Sequence, residues 1–299
     1  MNSEMVHVTL LDAQGNILLP NTTATSLGTG DTGNATIFFI QDPERTDHFL
    51  ETTIPNIDPK DAEFAVICLT SDIETFALTK LHLIDSKRTQ ATVLYRSSAS
   101  HWNVDLGTKS PEWPANIVTK DRRLLLLSAF LIASEAPKFK HRSKSLYEHL
   151  HGTNRILQEW NTPVVVQEAG LLHSVLGTST FRPAMRHMDK ITKLVGVVGQ
   201  DVARLVKLYA CSERGHSSIQ ALETGSIILN QGGRHDQIID TVNHEEILQV
   251  IIMDCANLVE QKADADFLRY LLCLYQTGKL ALPRIVAERL SKHLGIFGH

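Results

Sequence analysis

A break at Ser110-Pro111-Glu112-Trp113-Pro114 separates two kinds of sequence. Proline lacks the backbone N–H that a helix or ladder needs, and it pushes the residue before it toward extended backbone. Upstream of the break, apolar and polar residues alternate with a period of two. Downstream, apolar residues recur every three or four positions. One element type cannot satisfy both periods, so the expected class is α+β. The reading is a β-rich N-terminal domain at residues 1–112 and an all-α helical domain at residues 113–299.

In the first half, Val6-His7-Val8-Thr9-Leu10 alternates, meets a turn at Asp12-Ala13-Gln14-Gly15-Asn16 and resumes at Ile17-Leu18-Leu19, which predicts a hairpin. Residues 22–34 are rich in Thr, Gly and Ser and read as a loop. Gly28, Gly30 and Gly33 do not make a phosphate loop, because no Gly-Lys-Ser/Thr and no helix follow them. Further strands are expected at residues 35–40, 64–69, 76–84 and 91–95, the third of these being mixed enough to allow a helix. No motif in this half names a function. Covering a pocket, forming a homodimer and binding a separate partner all stay open for it.

In the second half, helices are expected at residues 119–135, 146–160, 164–176, 185–194, 201–209, 245–260, 266–275 and 282–293. A short hairpin is expected around residues 226–230. The most apolar stretch, residues 124–133, is ten residues long. A bilayer crossing needs about 20, so this segment reads as a buried helix and no membrane partner is expected.

Charge narrows the partners. The chain of 299 residues carries a formal net charge of −4, with 43% hydrophobic and 21% charged residues. A dedicated nucleic-acid binder would show a basic stripe, so no nucleic acid is expected. Cys68, Cys211, Cys255 and Cys273 are widely spaced and form no Cys-x-x-Cys pair, which suits reduced thiols in a cytoplasmic protein. The N-terminus shows neither the basic nor the apolar region of a signal peptide.

Two histidines carry the functional reading. His149 lies in Tyr147-Glu148-His149-Leu150, and His173 lies in Gly170-Leu171-Leu172-His173-Ser174-Val175-Leu176-Gly177-Thr178. Two successive helices joined by the turn at Asn161-Thr162-Pro163 would bring both imidazoles to one side of an antiparallel pair. His151, two positions on from His149, would point elsewhere.

These residues resemble the HD superfamily, in particular the hydrolase domain of RelA/SpoT-type alarmone hydrolases. There one helix carries a histidine, the next carries Ala-Leu-Leu-His-Asp-x-x-Glu-Asp-Thr, and a later helix carries Ala-Asp-Arg-x-x-Asn. The likeness covers roughly residues 143–261 and includes Asp201-Val202-Ala203-Arg204-Leu205-Val206 and Ile252-Met253-Asp254-Cys255-Ala256-Asn257. It implies an HD-like helical domain with His149, His173 and Asp254 or Asn257 as ligands to a divalent metal, Mn or Fe. Asp254 and Asn257 share a helix face, being three residues apart.

The chain departs from that pattern where the chemistry lies. Ser174 stands in place of the defining aspartate, Gly177 and Thr178 in place of the glutamate and aspartate, and Asn257 in place of the last ligand. A His-Ser and Gly-Thr pattern also resembles a little-characterised HD-like group, in which Ser174 and Thr178 would be specialised residues contacting substrate. Around the pair, Arg142, Lys144 and Arg155 flank the first histidine, and Arg182 and Arg186 follow the second. Arginine forks suit a small anionic ligand, and a solvated charged face suits them equally. His187 and Asp189 lie beside that cluster, while His235-Asp236 falls in a turn and reads as no ligand pair. The expected function is an HD-like protein with a polar pocket for a small anionic molecule, a divergent metal-assisted enzyme and not a standard alarmone hydrolase. The alternative is a non-catalytic ligand-binding or protein-interaction module.

Overall fold

The computed structural model describes residues 5–12, 16–26, 36–41, 49–52, 64–69, 76–83, 88–96, 120–177, 194–195, 198–213, 215–230 and 237–296. The class is α+β, and the chain divides into two compact units, Met1–Phe139 and Lys140–His299. Among the described residues no helix is long and apolar enough to cross a membrane.

Among its described residues the first unit holds seven strands: β1 Met5–Leu11, β2 Ile17–Ser26, β3 Thr36–Gln41, β4 Phe49–Thr52, β5 Phe64–Leu69, β6 Phe76–Leu83 and β7 Arg88–Arg96. They close into a barrel in the order β1-β2-β4-β3-β7-β6-β5. The expected hairpin is present, with Val8 opposite Thr22 and Leu10 opposite Leu19. Its turn is tied by the Asn16 backbone N–H donating to Asp12 Oδ1 at 2.8 Å. The loop expected from residue 22 begins later, because β2 runs through Ser26. Its Thr22, Thr23 and Thr25 are β-branched and suit a pleated strand, so they extend the ladder. The glycines at 28, 30 and 33 lie outside the described residues, as does the break at 110–114.

Helix α1 (Lys120–Ala133) also belongs to this unit. It packs against β5 and β6, and Leu125, Leu126, Leu127, Phe130 and Leu131 are all buried. The division between the units therefore falls past α1, downstream of the proline break: a helix apolar on so much of its circumference needs cover, and the strands supply it.

The second unit is mainly helical. It contains α2 Leu146–Glu159, α3 Val164–Leu172, α4 Gln200–Cys211, α5 His216–Thr224, α6 His244–Gln261, α7 Ala265–Gln276 and α8 Arg284–His293. Two small hairpins interrupt it, β8 Lys140–His141 with β9 Lys144–Ser145, and β10 Ser226–Asn230 with β11 Gln237–Thr241. The helix expected at residues 185–194 falls almost wholly outside the described residues.

Helix α6 is the centre of the unit. It packs against α2, α3, α4, α5 and α8, and every residue from Val250 to Asn257 is buried. A helix buried all round must be apolar all round unless its polar groups find partners. Both ends are fixed. At the start, Asn243 and Glu246 form a capping box. Arg204 on α4 then reaches Glu246 Oε1 at 3.0 Å, Asp240 Oδ2 at 2.6 Å and the Thr241 carbonyl at 2.8 Å. At the end, Arg142 Nη1 donates to the Gln261 carbonyl at 3.0 Å, placing positive charge at the negative pole of the helix.

The α2–α3 hairpin is equally specified. Ser145 and Glu148 form a capping box at the start of α2. The turn holds itself through side chains: Thr162 Oγ1 donates to the Leu157 carbonyl, Gln167 Nε2 to the Thr162 carbonyl and Asn154 Nδ2 to the Gln167 carbonyl. Gly170 lets the two helices approach, since a Cβ there would run into the buried Leu157 Cδ1. Gly170→Ala should therefore lower stability, with overpacking of about 1–3 kcal/mol exceeding the roughly 1 kcal/mol that alanine gains as a helix former. Urea unfolding should show a lower midpoint with an unchanged slope, and a raised midpoint would contradict this packing.

Candidate functional site

His149 projects from the first turn of α2, and His173 is the residue that ends α3. Both imidazoles are buried, His149 completely. Their Nε2 atoms lie 3.2 Å apart, and the rings meet edge to face. The two histidines thus point to one place, as their positions on paired helices predict.

Each ring is held from its other nitrogen. His173 Nδ1 donates to the Gly170 carbonyl at 2.7 Å. His149 Nδ1 donates to Glu260 Oε2 at 2.5 Å, and Lys144 Nζ binds the other carboxylate oxygen. With both Nδ1 atoms carrying protons, a neutral imidazole has only a lone pair at Nε2. Two lone pairs would then face each other across 3.2 Å. A shared proton or a metal ion resolves that conflict.

Glu260 supplies the negative charge. Burial opposes its ionisation, but hydrogen bonds from His149 and Lys144 outweigh burial and hold its carboxyl below the ordinary glutamate range. His141, on β8, stacks parallel on His149 with ring centroids 4.1 Å apart. Desolvation first, and then the charges of His149, Arg142 and Lys144, lower the His141 pKa from 6.5 to about 4, against the pull of Glu260. On the other side, the Tyr209 ring of α4 meets His173 edge-on at 5.0 Å, and its hydroxyl donates to Asp254 Oδ1 at 3.2 Å.

Of the other expected residues, Asp254 is linked to the pair through Tyr209. Asp254 and Asn257 are buried on α6, where Asn257 Oδ1 accepts from Gln261 Nε2 at 2.8 Å. Among the described residues no group of three or more His, Cys, Asp or Glu is arranged to hold a metal ion. Ser174 is buried in the turn after His173, its carbonyl accepting from the Gly177 N–H. Arg142 caps α6, and Arg155 is exposed on α2. His151 packs against the Tyr147 ring at 4.3 Å, away from the pair. Thr178, Arg182, Arg186, His187, Asp189 and the His235-Asp236 pair lie outside the described residues.

Glu260 and Lys144 are the partners that reading the sequence did not assign. One signal was available for Glu260. It lies three residues beyond Asn257 and six beyond Asp254, continuing one polar stripe along an apolar helix.

Residues 130–214 match the family described as Domain of unknown function (DUF6817). That segment contains both histidines and ends before α6. Comparison with curated proteins and with solved structures returned no match.

The half-buried His141 makes a pH prediction. Its folded-state pKa is depressed below 6.5, so the unfolded chain binds more protons between about pH 6.5 and 4. Stability is fully present above that window and falls as pH drops through it. Unfolding at a series of pH values should show this limb, and His141→Gln should flatten it. An imidazole that NMR finds titrating near 6.5 would remove the basis for the limb.

Proposed function

We propose that residues 140–296 form an HD-like helical domain in which His149 and His173 hold a divalent transition metal, Mn or Fe, that receives a small anionic molecule. One observation carries the reading: two imidazoles anchored at Nδ1 direct their Nε2 atoms to one point, 3.2 Å apart. Metal–imidazole bonds of about 2.0–2.1 Å put two neighbouring ligand nitrogens roughly 2.9–3.4 Å apart, across the span from a right angle to a tetrahedral one. The spacing fits two coordination positions. A carboxylate and a backbone carbonyl behind the rings are also the usual outer partners of metal-bound histidines.

A metal held there would supply Lewis-acid polarisation and a bound water of lowered pKa. The chain's own residues hold the two rings in place and exclude water around them. A position that the two imidazoles leave open would go to the anionic molecule. Alarmone hydrolysis of the standard kind is not the reading, because Ser174, Gly177, Thr178 and Asn257 stand where that chemistry draws on carboxylates. A cytoplasmic setting goes with the thiols of Cys211, Cys255 and Cys273, which are free among the described residues.

A second reading has its own support. A single proton placed between the Nε2 atoms completes every hydrogen bond from Lys144 to Gly170 without a metal, and both rings are buried. The domain would then be a non-catalytic HD-like module braced by a polar chain. Metal analysis of the full chain purified without chelator separates the two. About one equivalent of Mn or Fe, lost in His149→Ala/His173→Ala, is the expected result. Metal-free protein whose melting temperature ignores added Mn2+ and EDTA would establish the brace instead. Guanosine polyphosphates should not be turned over at a detectable rate, and robust hydrolysis would overturn the weight placed on Ser174 and Gly177.

A further inference from the structure

Glu260 reaches His149 through a gap that a single glycine keeps open. Gly152 lies on α2, three residues after His149 and on the same face. A Cβ at this position would stand 2.7 Å from Glu260 Oε1, 2.9 Å from its Cγ and 3.1 Å from its Cδ. The first two distances are shorter than side chains tolerate, and all three atoms belong to one side chain. That side chain has little room to retreat. One oxygen is bound to Lys144 and the other to His149 at 2.5 Å, and the side chain is only 4% exposed. Glycine is a poor helix former, yet here it sits mid-helix where no turn or positive φ calls for it. The carboxylate it admits gives the reason.

We infer that Gly152 and Glu260 together are the positioning element of the site: Gly152 is the notch that admits the carboxylate, and Glu260 fixes the orientation and tautomer of His149. With Nδ1–H committed to Glu260, the lone pair of His149 can only be at Nε2, facing His173. This rests on the reading of the histidines as a metal-holding pair and identifies what aims one of them. Neither residue touches the metal position, so both act through His149.

Co2+ titration of the full chain, followed by its visible absorption, tests the assignment. Glu260→Gln keeps the volume and removes the charge, and it should weaken Co2+ binding by roughly 10–100-fold. Gly152→Ala should weaken it comparably, while in a Glu260→Ala background it should add nothing, since the group it displaces is gone. Unchanged Co2+ binding in Glu260→Gln, or an equal loss from Gly152→Ala in both backgrounds, overturns the inference. A wild-type chain that takes up no Co2+ fails the metal reading and leaves the positioning question to a second measurement. In 15N NMR, His149 of the wild type should show its proton on Nδ1, and that signal should be lost or moved in both Glu260→Gln and Gly152→Ala. A wild-type His149 protonated only at Nε2 would overturn the inference without any variant.

Discussion

The buried carboxylate of Glu260 is the interaction on which the helical unit depends. An ion taken out of water costs several kcal/mol unless it is paired and hydrogen-bonded. Glu260 meets both conditions, with Lys144 on one oxygen and His149 on the other. Those partners come from β9 and α2, and His149 in turn meets His173 at the end of α3. One charge thus ties three parts of the fold to the central helix. Removing either partner leaves one oxygen of a side chain that is only 4% exposed without its hydrogen bond.

Precision at the histidine pair follows from where that charge sits. The rings are not aimed by their own packing alone. Each is fixed from behind, one by a carboxylate and one by the carbonyl of its own helix. The carboxylate depends on the placement of α6, which Arg204 secures at one end and Arg142 at the other. A shift of α6 along its axis would move Glu260 relative to His149, whereas the Gly170 carbonyl that holds His173 Nδ1 belongs to α3. The site is therefore asymmetric: one ring takes its orientation from a distant helix and the other from its own.

Much of this was legible in the sequence. The class, the β1–β2 hairpin, the helices that carry the histidines and the convergence of His149 with His173 follow from period, turn chemistry and spacing. Asp254 and Asn257, expected as metal ligands through the family resemblance, are both buried on α6. Glu260 escaped notice because it stands near the end of α6, where a glutamate usually reads as solvated. Arg142 was read as an anion binder, and it caps α6 because its residue adopts a left-handed turn, φ 54°, that no local pattern announces. Helix α5 and the β8–β9 hairpin were too short to leave a periodic signal. The reason for Gly152 lies in a residue more than a hundred positions away, which no local pattern shows.

That distance bears on the segment shared with other proteins. Residues 130–214 carry both histidines, and the carboxylate that answers them lies at 260, outside the match. Cut to that segment, the chain would keep an imidazole pair but lose its counter-charge, its central helix and the carbonyl that Arg142 caps. The matched segment is thus smaller than the set of residues that Glu260 ties together. During synthesis His149 must wait for the acceptor of its Nδ1–H until more than eighty further residues have been added and α6 can dock.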